Sequence, residues 1–314
     1  MKVKLGKVIQ LNPREQISKG EIAKKIAMDN LEPYTREVSS YGLNTYKGGA
    51  KFRNKDTLLA RITPCLENGK TAYVNILDDN EVAFGSTEYF VLRAKRELID
   101  PLYLYYLSIS NKFRTIAIKS MTGTSGRQRV QKEAILDYEF DLPNMEVQKR
   151  IAKTIGCLDD KKVLNNQIND NLLELSDTLF KKMFKLDGDN LISNYLLPKR
   201  GKNLLKKNVI PGKVPVVAGG LKPAAFHNES NTKAPVITIS ASGANAGFLQ
   251  IWGQEVWSSD SSYIDPAIAE NIFFWYILLK NKQEQIFDAQ SGSAQPHIYP
   301  KHIGNLLVPS LNMI

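Results

Sequence analysis

The residues with the clearest capacity for chemistry form short segments rich in glycine, hydroxyl, amide and basic groups. One of them, residues 122–129, has the sequence TGTSGRQR. Its glycines allow the backbone to approach a ligand closely. Arg127 or Arg129 could bind guanine or phosphate, and Gln128 could bind adenine. Taken alone, the segment is more typical of a hairpin turn with solvated arginines, so its interpretation depends on the rest of the chain.

A wider set of polar residues has the same capacity to bind bases or phosphates. The first half of the chain adds Arg61, Lys70, Ser86, Thr87, Glu88, Thr124 and Ser125. Glu88 could accept a hydrogen bond from cytosine, although carboxylates at strand ends are more often structural. The second half adds Ser240, Ser242, Asn245, Ser258, Ser259, Ser262, Ser291, Ser293, Gln295 and His297. The serines are equally typical of edge strands and turns, and the sequence leaves both interpretations open.

Motifs for catalysis or metal binding are weak. A DNA adenine methyltransferase would be expected to carry a D/N-P-P-Y/F box, and the nearest string, DPLY at residues 100–103, lacks the second proline. The sequence contains no G-x-x-x-x-G-K-[ST] phosphate loop, no H-E-x-x-H zinc motif and no serine nucleophile elbow. Neither the three histidines nor Cys65 and Cys157 have metal-ligand spacing. We therefore predict a protein of recognition or assembly, without a metal site or a catalytic residue.

Composition favours a polyanionic partner in the cytoplasm. The formal net charge is +10, of which residues 1–143 carry +6, residues 144–189 carry zero and residues 190–314 carry +4. Two basic regions on a neutral spacer suit nucleic acid, although general solubility would explain the charge equally well. No apolar run reaches the length of a membrane span, and the N-terminus lacks a signal-peptide pattern. The two cysteines fit a reducing compartment.

An internal repeat organises the chain. The pattern SGRQRV at residues 125–130, Ile135 and FDLP at residues 140–143 recurs 168 positions later as SAQPHI at residues 293–298, Ile303 and VPSL at residues 308–311. The preceding segments follow the same order, with buried strands predicted at residues 56–62, 71–76 and 235–240 and apolar helices beginning near residues 101 and 272. Residues 81–92 indicate one or two strands bent at Gly85. Strands followed by helices predict two similar α+β units.

The segment between the repeats predicts one long helix over residues 145–186. Its apolar residues mostly recur at steps of three or four, which is the pattern of a coiled-coil seam. About 40 residues would give a rod of roughly 60 Å, and a lone helix with such a seam needs a partner helix. The predicted helix-pairing residues are Ile151, Ile155, Leu158, Ile168, Leu172, Leu175, Leu179 and Met183.

These features together resemble the specificity subunit of type I restriction–modification systems. The resemblance extends from near the N-terminus to residue 314 and rests on the order of its motifs. The first unit contributes LARITPCLENGK (59–70), GSTEYFVL (85–92), GTSGRQRV (123–130) and LP (142–143). The helix contributes EVQKRIA (146–152), LDD (158–160) and FKKMF (180–184), and the second unit contributes SGANAG (242–247), SSD (258–260) and SGSAQPHI (291–298).

The resemblance implies a non-catalytic subunit that recognises a bipartite DNA target and docks methyltransferase and restriction subunits. Its target-recognition domains are expected at residues 1–143 and 188–314, joined by a coiled-coil-forming spacer helix at residues 144–187. S-adenosylmethionine and ATP are expected on the partner subunits, with no cofactor in this chain. The family pairs this helix with a second one, and residue 314 corresponds to Glu146, where that helix should begin. We therefore expect a second copy, another chain or the methyltransferase subunits to cover the seam.

Two other functions remain open on the residues alone. A stand-alone DNA-modifying enzyme would transfer methyl groups or cut DNA without partners. A protein-interaction scaffold that does not bind DNA would carry its basic charge incidentally.

Overall fold

The computed structural model describes residues 2–292 and 295–311, and the chain divides into two compact units, Met1–Asn166 and Gln167–Ile314. The first unit contains a short 3-10 helix at Met28–Asn30. Its helices are α1 (Leu5–Val8), α2 (Pro101–Ile109), α3 (Asn111–Lys119) and α4 (Lys132–Leu136). Its strands are β1 (Lys2–Lys4), β2 (Ile9–Leu11), β3 (Ile22–Ile26), β4 (Gly42–Thr45), β5 (Ala50–Phe52), β6 (Thr57–Ala60), β7 (Thr71–Tyr73), β8 (Ala83–Gly85), β9 (Tyr89–Ala94) and β10 (Glu139–Asp141).

Two four-stranded sheets and one strand pair form the β structure of the first unit. One sheet has the order β2-β9-β6-β7 and is antiparallel throughout. The other has the order β4-β3-β8-β5, in which β3 and β8 run parallel. The first and last strands of the unit, β1 and β10, pair with each other. The predicted bend at Gly85 therefore separates two strands, because β8 and β9 belong to different sheets.

The central strand β6 of the first unit is buried on both faces, as the short apolar run predicts. Successive residues of β6 point to opposite faces, so Leu58 packs in one apolar cluster with Phe52 and Val91. Leu59 packs in the other cluster, together with Leu92 and the helix residue Phe113. This double burial fixes the position of the strand ends from which the site residues follow.

Local sequence determines where the helices α2 and α3 begin. Asp100 caps α2 by accepting hydrogen bonds from the backbone N–H groups of Leu102 and Tyr103, at 3.0 and 2.9 Å. Pro101 occupies the first helical position, where a missing N–H costs nothing. Ser110 then ends α2 and caps α3.

The long helix is α5 (Met145–Met183), and the division between the two units falls within it. It ends three residues before the predicted boundary at residue 186, and Phe184 and Leu186 beyond it pack against the apolar cluster of the second unit, as does the helical residue Phe180. Within the first unit, Gln148 is buried, accepts from the backbone N–H of Asp100 at 2.8 Å and donates to the carbonyl of Pro143 at 2.9 Å. The start of α5 is therefore part of the folded first unit.

The second unit contains 3-10 helices at Ile192–Asn194 and Lys206–Asn208. Its helices are α6 (Ile272–Asn281), α7 (Gln283–Asp288) and α8 (Pro300–Gly304). Its strands are β11 (Asn190–Leu191), β12 (Lys199–Arg200), β13 (Pro211–Val217), β14 (Ala225–His227), β15 (Val236–Ser240), β16 (Leu249–Trp252), β17 (Trp257–Ser258), β18 (Ser261–Ile264) and β19 (Leu307–Val308).

The second unit repeats the topology of the first. Its sheet β12-β18-β15-β16 matches β2-β9-β6-β7, and β14-β13-β17 matches β4-β3-β8, with the parallel pair β13–β17 corresponding to β3–β8. Its first and last strands, β11 and β19, also pair with each other. The predicted α+β class with two similar domains and a connecting helix is therefore confirmed. Among the helices of the described ranges, none has the length and apolar character that a membrane crossing requires.

Candidate nucleic-acid interface

The TGTSGRQR segment of the first unit forms an exposed hairpin loop, which we call loop A (residues 122–129). Thr122 and Arg129 exchange backbone hydrogen bonds of 3.1 and 2.9 Å, and the N–H of Arg127 donates to the carbonyl of Thr124 at 3.0 Å. Gly123 and Gly126 have φ values of +127° and +76°, a region that favours glycine. The loop glycines therefore serve the tight turn, and Thr124, Ser125 and Arg127 at its tip are exposed.

Backbone hydrogen bonds join loop A to the ends of the two central strands. The N–H of Val130 donates to the carbonyl of Arg61 at 2.9 Å, and the N–H of Arg61 donates to the carbonyl of Glu88 at 3.0 Å. The N–H of Thr63 reaches the carbonyl of Gln128 at 3.0 Å. Residues far apart in sequence are thus brought to one edge of the sheet.

An ion-pair cluster occupies this edge. The Glu88 carboxylate accepts three hydrogen bonds from Arg129, at 2.9 and 3.1 Å from Nε and 2.7 Å from Nη2. Arg61 lies at 3.4 Å from the same carboxylate, with its guanidinium over the ring of Phe90 at 5.2 Å. The hydrogen bonds from Arg129 hold the pKa of Glu88 below its usual value. The carboxylate is therefore charged at neutral pH and committed to the arginines.

The remaining candidates of the first unit differ in availability. Thr87 is exposed, while the Ser86 hydroxyl accepts from the backbone N–H of Glu88 at 3.1 Å. The Lys70 ammonium is mostly buried, donates to the carbonyl of Met28 at 2.9 Å and lies 3.5 Å from Asp29. Lys70 therefore ties the chain together locally, and its charge is less available than that of Arg127.

The second unit holds an equivalent loop, residues 291–297, which we call loop B. Ser291 and His297 exchange backbone hydrogen bonds of 3.0 and 2.8 Å, as Thr122 and Arg129 do. The N–H of Ile298 donates to the carbonyl of Ala241 and the N–H of Ala241 to that of Asp260, at 3.0 and 3.2 Å. Backbone position 297 thus corresponds to 129 and position 260 to 88. Ser293 lies outside the described residues.

The two loops share a backbone frame but present different groups. Asp260, the counterpart of Glu88, pairs with Arg200 at 2.7 Å and accepts from the Ser242 hydroxyl. The His297 ring stacks on Tyr299, with ring centroids 6.1 Å apart. Gln295 is exposed, whereas the Asn245 amide donates to the carbonyl of Gly219 at 3.2 Å.

Four predicted contact serines lie inside the second unit. Ser240, Ser258, Ser259 and Ser262 are at most 5% exposed. The Ser258 hydroxyl lies 2.8 Å from that of Ser261, and Ser259 accepts from the backbone N–H of Leu204 at 3.0 Å. Their hydroxyls therefore face the protein interior, and we reassign these four residues from DNA contact to the framework of the sheet.

Two residues near loop B, Asp260 and Arg200, were not among the site residues predicted from the sequence. Asp260 had a signal, because the internal repeat aligns it with Glu88. Arg200 had none, because it lies 60 positions before its partner and reaches it only through the pairing of β12 with β18. No group of three or more histidine, cysteine, aspartate or glutamate side chains within residues 2–292 and 295–311 is arranged to hold a metal ion.

Comparisons with known proteins agree on one protein family. The model of the type I restriction modification DNA specificity domain matches residues 1–174, more than half of the chain. The HindI specificity subunit of Haemophilus influenzae is 33% identical over 137 residues, which cover 42% of this chain and 28% of that protein. A putative type I specificity subunit of Mycoplasma pneumoniae, S.MpnORF638P, is 23% identical over an alignment of 330 positions, covering 94% of this chain and 81% of the relative. The matched region thus spans less than a third of the Haemophilus protein.

A solved structure supports the fold across both units. The crystal structure of a type I restriction–modification S subunit from M. genitalium matches with a TM-score of 0.56 at 19% identity. The match covers 98% of this chain and 83% of that one. At this identity the likeness bears on architecture alone.

Proposed function

Because the chain belongs to the family of type I restriction–modification DNA specificity proteins, we propose that it is the DNA-recognition subunit of a type I complex. Each unit reads one half of a bipartite target in double-stranded DNA, and an unread spacer separates the halves. The observation that carries the proposal is the shared frame of loops A and B, which holds Arg129 in one unit and His297 in the other. One scaffold with different exposed side chains suits the reading of two different half-sequences.

Both loops have the chemistry for this task. Loop A offers an exposed arginine, hydroxyl groups and a glutamine amide next to a second arginine, and loop B offers amide, hydroxyl and imidazole groups. Side chains of these kinds bind base edges and phosphates. The net charge of +10 adds attraction to any DNA, independent of sequence.

Partner subunits supply the chemistry in this proposal. The chain itself is non-catalytic and binds no cofactor, the methyltransferase subunits bring S-adenosylmethionine, and a restriction subunit brings ATP-dependent cleavage. The complex works in the cytoplasm, where its DNA is found.

The apolar seam of α5 is the surface for assembly. Leu158, Leu172, Leu175 and Met183 are between 53% and 72% exposed. Complete burial of a fully exposed side chain of this kind is worth about 1.5–3 kcal/mol, and covering the part that these four still expose contributes a corresponding fraction. A helix from a second copy, another chain or the methyltransferase subunits would gain this energy by covering the seam.

The test is methylation mapping by long-read sequencing in cells that express the chain with its methyltransferase subunits. We expect methylation at one bipartite motif, which disappears when the chain is omitted. Methylation by the purified chain alone would instead favour a stand-alone enzyme. Methylation that is unchanged by its omission, together with no DNA binding, would favour an interaction scaffold.

A further inference from the structure

Glu88 binds one edge of the Arg129 guanidinium and leaves the other edge available to a ligand. Glu88 occupies Nε and one side of Nη2, while Nη1 makes only a 3.5 Å contact with the carbonyl of Arg127. The side chain remains 42% exposed. A guanidinium has five N–H donors in a rigid fork, so a carboxylate can occupy one edge while the edge formed by Nη1 and Nη2 stays available.

That free edge matches the pattern of one base. Guanine presents two acceptors, O6 and N7, in the major groove, and a pair of parallel guanidinium N–H groups can bind both. Glu88 lowers the entropic cost of this contact, because it fixes the side chain before DNA arrives. The carboxylate itself is occupied by Arg129 and Arg61, which leaves it poorly placed to accept from cytosine.

Unlike Arg129, Arg127 is not oriented by a carboxylate within residues 2–292 and 295–311. Among the described residues, its guanidinium has no hydrogen-bond or ion-pair partner, and it stands at the exposed tip of loop A. An exposed charge without a protein partner suits a phosphate, which needs no fixed orientation of the guanidinium. The two arginines of the same loop therefore have different tasks.

On the basis of the proposed function, we propose that Arg129, oriented by Glu88, reads a guanine in the half-site of the first unit, and that Arg127 contacts phosphate. Glu88 is thus a positioning residue of the recognition site. The second unit has no arginine at the equivalent loop position, because position 297 holds histidine; its Asp260 pairs instead with Arg200 of β12 and accepts from Ser242. The same frame consequently presents a different donor group there.

The experiment uses the chain in complex with its methyltransferase subunits and a pool of duplex DNA with randomised positions. Bound DNA is sequenced for the wild type and for Arg129→Lys, Glu88→Gln and Glu133→Gln. Arg129→Lys keeps the charge and loses the fork, so preference for one G·C pair in one half-site should fall about ten-fold or more. Glu88→Gln should give a smaller loss at the same base pair.

Glu133→Gln is the matched control, since it removes the same charge from an exposed side chain of the same unit. It should leave the base preferences at both half-sites unchanged.

If the wild type selects a bipartite site and Arg129→Lys preserves every base preference, the assignment of Arg129 is wrong. If Glu88→Gln alone preserves them, Glu88 is not a positioning residue. If the wild type selects no sequence at all, the proposed function itself fails. Circular dichroism of each variant separates loss of reading from loss of folding.

Discussion

At the scale of single residues, the Glu88–Arg129 pair links the charge of one carboxylate to stability and, in the proposed function, to DNA recognition. Hydrogen bonds from Arg129 lower the pKa of Glu88 in the folded chain below its usual value of 4.5. A carboxylate with a lowered pKa binds fewer protons in the folded state than in the unfolded state. Its contribution to stability is therefore fully present above pH 4.5 and is lost as the pH falls through the lower, folded value.

We predict that Glu88→Gln flattens the acid limb of the stability profile. The free energy of unfolding, measured by urea titration between pH 6 and pH 3, should fall less steeply with decreasing pH in the variant than in the wild type. Glu133→Gln, whose carboxylate has no ion pair among the described residues, should retain the wild-type slope. Equal slopes for the wild type and Glu88→Gln would mean that the pair does not persist in solution.

At the scale of secondary-structure elements, the sequence predicts what is periodic or repeated and misses what depends on distant pairing. The two strands around Gly85, the start of α2 at Pro101 and the long helix all follow from local pattern and capping. The pairing of β1 with β10 joins residues more than 130 positions apart and leaves no local signal. This pairing is determined by the tertiary contacts that bring the two ends of the unit together.

Exposure of polar side chains was the hardest property to predict. A serine is compatible with a strand end, a turn or a ligand contact, so Ser258 and Ser259 looked like candidates for contact. Their burial depends on partners such as Ser261 and the backbone of Leu204, which only the folded sheet brings near. The exposure of loop A was easier to predict, because its glycines indicate a turn and its arginine charges favour solvent.

The helix α5 supplies the prediction at this scale. Leu172 and Leu175 are 54% and 53% exposed, so their replacement by lysine removes few contacts within the chain. Leu172→Lys with Leu175→Lys should change the free energy of unfolding of the free chain by less than about 0.5 kcal/mol per site. The double variant should lose assembly, because two charges would enter the seam that we propose a partner helix covers.

Thermal unfolding of the free chain and sedimentation of the mixture with methyltransferase subunits would measure the two effects separately. Glu174→Lys, which changes the charge of the same helical turn without removing an apolar side chain, should still assemble. Complexes of normal mass and stability from the double variant would show that the seam is not an assembly surface.

At the scale of the whole molecule, the proposed function separates sequence-independent attraction to DNA from base reading as two contributions to one affinity. The positive charge belongs to residues 1–143 and 190–314, while the segment between them is neutral. Each phosphate neutralised by a lysine or arginine releases counterions, so the logarithm of the binding constant falls linearly with the logarithm of salt concentration, by about 0.9 per phosphate. Base contacts add preference without changing this slope.

Arg127→Ala should therefore weaken binding to all duplex sequences by a similar factor, reduce the salt slope by about one, and leave the base preference intact. Arg129→Lys should do the opposite, keeping the slope and losing the preference. Fluorescence anisotropy on one selected and one scrambled duplex, between 50 and 200 mM salt, measures both quantities for the complex with methyltransferase subunits. Lys161→Ala, in the neutral segment, controls for general loss of charge and should keep the wild-type slope. An unchanged salt slope for Arg127→Ala would mean that Arg127 does not contact phosphate, because a residue bound to phosphate contributes to counterion release.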